Sequence, residues 1–137
     1  MSPTRSKSAT IATWIAQLVA AGILGMVSFF KLTSALESIA LFQQLGVEPW
    51  GRYAVGLYEA VTALLLVIPR TAALGGLLAV GLMVGAIVTH LTTLGIAVNG
   101  DSSLFMMAVT TLAAGVVIVA IRRAELPLVG RKALQAG

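Results

Sequence analysis

Between Thr71 and Gly100 the only ionisable side chain is His90. A stretch this long and this apolar exceeds the roughly 20 residues needed to cross a hydrocarbon core. Three more stretches resemble it. Ile11 to Phe30 carries no charge, Trp50 to Ile68 is interrupted by Arg52 and Glu59, and Leu104 to Ile121 is stopped by Arg122 and Arg123. Apolar residues make up 58% of the chain and charged ones 10%, against about 45–50% and 25% in soluble domains. A water-soluble globule is excluded. Strand-like alternation is missing, and an α-helix satisfies its own backbone in lipid. The expected fold is therefore an all-α membrane protein, a single domain over residues 1–137. It is a four transmembrane helix bundle with helices near 11–30, 50–68, 71–98 and 104–121.

The links set the topology. Placing the N-terminus inside collects Arg5, Lys7, Arg70, Arg122, Arg123, Arg131 and Lys132 on the inner side and leaves Lys31 and Arg52 outside. Basic residues gather in cytoplasmic loops, so both termini are expected in the cytoplasm. The net charge of +4 is then a topology signal, and no nucleic-acid partner is expected. A basic N-terminus before an apolar run also has the form of a signal peptide, but this run is longer than a usual signal core. An uncleaved first helix is expected. Ile68–Thr71 reads as a tight inner turn and Asn99–Ser102 as an outer one. Asp101 and the basic tail from Arg122 to Lys132 are expected to face solvent or headgroups.

Lys31 to Pro49 is more than a loop. Ser34 and Glu37 have the spacing of a capping box. Ile39, Leu41, Phe42 and Leu45 form an apolar arc, and Gly46 can end the helix. A short amphipathic helix over about 34–46 is expected between helices one and two, at the outer interface or in the bundle mouth. Pro49 suits the start of the next helix. Trp50 and Trp14 suit anchors at headgroup level.

Few side chains can carry chemistry. With no cysteine in the chain, disulfides, CxxC chemistry and thiolate metal sites are excluded. One histidine supplies neither a histidine-rich metal cluster nor two axial haem ligands. No P-loop or GxSxG motif is present. No metal or covalently bound cofactor is expected. Glu59 lies about 12 Å along helix two at 1.5 Å per residue, where a carboxylate normally faces a partner or cavity. Arg52 and Thr62 share its face. His90 falls about 12 Å below the outer end of helix three if that helix runs to Val98. Glu59 and His90 are thus expected to face the interior at similar depth, within direct or one-water hydrogen-bonding reach. Lys31 or Arg52 can join them. For each residue a purely structural role competes: an ion pair, a histidine bonded to a backbone carbonyl, or a lysine snorkelling to the interface. Gly81 and Gly85 form a GxxxG expected to serve helix packing, within the bundle or in a homo-oligomer.

Lys31-Leu32, Gly46-x-x-Pro49, Gly56-x-x-Glu59, Ile68-Pro69-Arg70 and Thr89-His90-Leu91 together resemble the DoxX-like family of small bacterial membrane proteins. The resemblance extends across all four helices. It implies a four-helix inner-membrane bundle, with members linked to quinone-coupled oxidoreductases, thiosulfate oxidation among them, and to an oxidative-stress complex. Distant animal relatives look like assembly factors for receptors. Lys31, Glu59 and His90 carry the family's polar pattern, with no catalytic role to transfer.

The leading expectation is a subunit or accessory of a membrane redox or stress complex in the bacterial inner membrane, not an enzyme on its own. A quinone or lipid pocket would be lined by Lys31, Glu59 and His90, with redox partner proteins supplying electrons. In it His90 donates to a carbonyl, Glu59 handles a proton and Lys31 stabilises negative charge. Two alternatives stay open: a small proton-coupled transporter, although its carboxylate would be expected in the first helix, and a non-catalytic assembly or scaffolding protein.

Overall fold

The computed structural model describes residues 5–98 and 100–126. Its regular elements are helical: α1 (Lys7–Leu32), α2 (Leu36–Gln44), α3 (Trp50–Val67), α4 (Ala72–Thr89) and α5 (Ser103–Arg122). A π turn, His90–Leu94, extends α4, and a 3-10 turn, Arg123–Glu125, follows α5. The helices containing Lys7–Leu32, Ala72–Leu94 and Ser103–Glu125 are long and apolar enough to cross a membrane. α3 is not among them, because Arg52 and Glu59 lower its hydropathy.

Polarity is inverted relative to a soluble bundle. Ile11, Ile15, Leu18, Leu57, Leu64 and Leu91 point outward, whereas Thr13, Gln17, Arg52, Glu59, Thr62, His90, Thr111 and Arg122 are buried. Where lipid replaces water as solvent, exposing an apolar side chain costs little and exposing a charge costs much. The chain is accordingly a multi-pass membrane protein.

Close helix contact is made by glycine, but not by the expected pair. A Cβ on Gly76 would lie 2.9 Å from Ile118 Cγ2, and one on Gly115 would lie 3.0 Å from Val80 Cγ2 and 3.1 Å from the Gly76 carbonyl oxygen. These two glycines, with Ala79 and Ala114, let α4 and α5 approach closely. Gly81 and Gly85 have nothing within 4 Å of the same position. Within the described chain they seat no neighbouring helix, because α4 turns this edge toward a cavity.

Three further expectations change. The third helix does not run to Val98: the Gly95 amide reaches back to the His90 carbonyl, closing the π turn, and Gly95 then takes φ 79°. His90 therefore lies four residues from the helical end, about 6 Å by the helical rise. Ser34 is not a helix cap, because its hydroxyl is taken up by Arg52 at 3.0 Å, and Ala35 stands at the N-cap without a side-chain bond. The short helix does end at Gly46, with φ 77° and bonds from Gly46 to Gln43 and from Val47 to Phe42 that form a Schellman closure. Arg122, expected in the headgroups, is buried.

The turns are closed locally. Thr71 caps the α3–α4 turn with its hydroxyl on the Leu65 carbonyl at 2.8 Å. In the link between the π turn and α5, Val98 and Asp101 exchange backbone bonds of 2.9 and 3.0 Å. The Ser103 hydroxyl and amide both donate to Asp101 and hold its carboxyl below the usual range. Asn99, Arg131 and Lys132 lie outside the described residues.

The packing makes an unequal prediction for equivalent substitutions. Gly76→Val should destabilise by about 1–3 kcal/mol, the usual cost of overpacking, since the branched side chain meets Ile118. Gly81→Ala should lie within about 0.5 kcal/mol of wild type, as for an unencumbered surface site. Unfolding in mixed micelles by denaturing detergent would measure both. Equal losses would contradict this account.

Candidate ligand cavity at the open end of the bundle

Lys31 sits one residue before the end of α1, where its side chain can turn toward α3. Gly56 makes that turn productive. A Cβ on Gly56 would lie 3.1 Å from Lys31 Cβ and 3.0 Å from Leu32 Cδ2, so the missing side chain is what admits α1. Glu59 stands one helical turn further along the same face of α3. Lys31 Nζ lies 3.0 Å from Glu59 Oε1 and donates to Oε2 at 3.3 Å. The Gly56-x-x-Glu59 spacing therefore has a physical meaning: one residue seats the lysine stem and the other receives its charge.

Arg52 belongs to a different arrangement. Its Nε donates to both carboxylate oxygens of Glu48 at 3.0 Å, and Nη1 donates to the Lys31 carbonyl and to Ser34 Oγ. Its guanidinium lies 4.3 Å from the centre of the Tyr53 ring. Arg52 thus clamps the backbone that carries Lys31 by donating to a carbonyl at the end of α1. It positions the lysine and does not line the cavity.

His90 approaches from the opposite wall. Its ring makes an edge-to-face contact with Phe105, with centroids 5.7 Å apart. Nδ1 lies 2.9 Å from the Gly95 carbonyl. A carbonyl only accepts, so Nδ1 carries the proton, and in the neutral ring Nε2 is left as an acceptor. Nε2 has no hydrogen-bond partner among the described residues. The expected role of His90 as a donor to a ligand carbonyl is reversed for the neutral ring: it accepts from a hydroxyl.

Lys31, Glu59 and His90 all line one cavity of about 360 Å³. Apart from Thr89 its other walls are apolar, with Leu24 and Val27 from α1, Leu41 and Phe42 from α2, Met83 from α4 and Met107 from α5. Glu59 and His90 do not hydrogen-bond directly to one another among the described residues. The carboxylate is engaged by Lys31, and the imidazole is tethered to Gly95. Of the expected arrangement the direct Glu59–His90 bond is not formed; Lys31 joins Glu59, and His90 lines the same cavity on its own tether. Glu59 Oε1 is buried with no hydrogen-bond partner, the lysine being close but off the line of a bond.

Sequence reasoning missed a second polar cluster at the other end of the bundle. Gln17 Oε1 accepts from Thr13 at 2.9 Å and from Arg122 Nε at 2.8 Å, while Gln17 Nε2 donates to the Leu66 carbonyl at 2.8 Å. Arg122 also donates to Glu125 at 3.1 Å, and Arg5 pairs with the same carboxylate at 3.1 Å. The Arg122 guanidinium lies 5.7 Å from the centre of the Trp14 ring, so Trp14 is engaged within the bundle. The available signal was Thr13 and Gln17, four residues apart and hence on one face of an otherwise apolar helix. This cluster ties α1, α3 and α5 together.

The ion pair can be separated from its surroundings by a double-mutant cycle. Glu59→Leu or Lys31→Met alone should cost up to about 3–5 kcal/mol, less to the extent that cavity water reaches the orphaned charge. Lys31→Met/Glu59→Leu should cost clearly less than the sum of the two. Additive losses in detergent unfolding would show that the two groups do not depend on one another.

No curated protein and no solved structure matches the chain. The family model of the DoxX-like family matches residues 15–118. That span takes in α2, α3, α4, the π turn, most of α1 and α5, and every residue lining the cavity, and it covers more than half of the sequence. The chain belongs to the DoxX-like family.

Proposed function

We propose that this DoxX-like protein crosses the bacterial inner membrane four times, with both termini in the cytoplasm. Its outer-leaflet cavity holds a quinone-type ligand, and it serves a membrane redox or oxidative-stress complex as a subunit or accessory. The observation that carries this reading is the cavity itself: apolar walls converge on a cation, a carboxylate and a histidine with a free ring nitrogen. Ligand sites combine such walls with a few convergent polar groups. α3 is counted as a crossing because its two charges are compensated, Glu59 by Lys31 and Arg52 by Glu48. Paired charges facing a bundle interior are the form in which membrane helices tolerate them. The seven-to-two distribution of basic residues supports the orientation.

In this reading the quinol form is the better hydrogen-bonding partner. A ring hydroxyl donates to Nε2 of His90, and Lys31 and Glu59 fix the other polar edge. The neutral oxidised ring has only carbonyls and offers Nε2 no donor. The chain contains no cysteine, and its electrons would pass through the quinone itself or a partner subunit that holds a redox group. A stoichiometric partner retained after His90→Ala would favour an assembly role instead.

Two measurements test this. Reporters inserted at Asp101 and fused to the C-terminus should report opposite sides of the membrane, and the same side for both would refute the topology. Equilibrium titration with a quinol should show His90→Leu losing about tenfold or more in affinity, the loss that follows when a hydrogen-bonding site is left unpaired. His90→Gln should recover part of it, because its amide oxygen can accept the same hydroxyl. Absence of quinol and quinone binding, with and without co-purifying partners, would remove the proposed function.

A further inference from the structure

Gly81 and Gly85 stand at the edge of the cavity wall. On the α4 wheel, at 100° per residue, they lie between the outward pair Val84 and Val88, 48% and 52% exposed, and cavity-lining Leu82 and Ala86. Both glycines line the cavity, and the space where their side chains would stand is open. One turn further along α4 toward its start, the Tyr58 hydroxyl donates to the Leu78 carbonyl at 3.0 Å and stitches α3 to α4. Beyond that stitch the wall between the cavity and the outer surface of α4 is lowered at the two glycines.

Glycines at this spacing would not by themselves mark a site. Behind them, however, the cavity holds a buried carboxylate oxygen without a hydrogen-bond partner and a histidine ring nitrogen that none of the described residues bonds. Glu59, 4% exposed, presents Oε1, and His90, 5% exposed, presents Nε2. A neighbouring helix laid on the glycines would close the cavity and leave both atoms unsatisfied, at the cost that attends any buried polar group without a partner. A slim chain bearing a hydroxylated head fills the notch and reaches them.

We propose that the Gly81–Gly85 notch is a lateral doorway to the bilayer, in which the hydrocarbon chain of a quinol rests while its ring occupies the cavity. The inference rests on the quinol reading above and adds to it where the chain lies and how the ligand arrives. A quinone dissolved in lipid need not pass through water to reach Nε2 of His90. Bulk at the doorway therefore acts on the chain and leaves the ring's contacts in place.

The test compares two probes on the purified full chain in maltoside micelles: decylubiquinol, and the same quinol ring with its chain replaced by a methyl group. Gly81→Leu/Gly85→Leu should weaken decylubiquinol at least about tenfold, a step worth about 1.4 kcal/mol. The short probe should change less than about twofold, well under one tenfold step. Gly22→Leu, another open glycine on α1 outside the cavity lining, should alter neither. If the leucine variant does not fold, Gly81→Ala/Gly85→Ala should shift the same ratio by about threefold, the scale of one methyl contact. Equal loss of both probes, or loss of neither, would overturn the doorway while leaving the quinol cavity standing. Equal loss accompanied by conversion of a wild-type dimer to a monomer would assign the glycines to a second copy of the chain. A wild-type protein that binds neither probe overturns the quinol reading and the doorway with it.

Discussion

A carboxylate buried among apolar helices sets the terms for this bundle. Glu59 cannot face hydrocarbon as an anion without a compensating charge, and Lys31 brings that charge to 3.0 Å. The requirement spreads outward from the pair. Gly56 must lack a side chain for α1 to come near enough, and Arg52 must hold the carbonyl end of α1 so that Lys31 keeps its place. Glu48 then neutralises Arg52. One buried charge thus accounts for the geometry of the α1–α3 contact at this end of the molecule.

The far end is organised differently. There the buried cation is Arg122, and its partners are mostly neutral: Thr13 and Gln17, with Glu125 reaching it from beyond the helix. The side chains of that cluster bond to one another across α1 and α5, with Gln17 also bonded to a carbonyl of α3. A connected polar network of this kind holds helices together. At the cavity end, by contrast, Oε1 of Glu59 and Nε2 of His90 stay without hydrogen bonds. The bundle is closed by a bonded polar cluster at one end and open, at the cavity, at the other. Small residues between them, Gly76, Ala79, Ala114 and Gly115, bring α4 and α5 into close contact and leave the free volume at the cavity end.

The π turn contributes a chemical detail as well as a bend. By carrying the Gly95 carbonyl back to Nδ1, it decides which ring nitrogen of His90 holds the proton. π insertions recur where helices serve a site. Here the local backbone selects an accepting nitrogen for the cavity, a choice no spacing of residues could specify.

Much of the architecture was legible from residues alone, because lipid imposes a one-dimensional constraint. Apolar runs of sufficient length must be helices, so α1, α4 and α5 follow directly from Ile11–Phe30, Thr71–Gly100 and Leu104–Ile121, and Gly46 and Pro49 mark the link between α2 and α3. The gathering of Lys31, Glu59 and His90 at one end was also legible, since alternating helix directions fix which side each residue approaches. Which of them touch was not. Contact depends on helix rotation and on how closely backbones approach, and those are set by steric detail at Gly56, Gly76 and Gly115. Nor could spacing tell that Gly81 and Gly85 face free volume, since the same motif serves a packed helix or an open wall. Sequence determined the elements and their order because hydrophobic length is a local property. Tertiary structure alone decided the partners, since a charge takes the counter-charge that the packed backbones bring within reach.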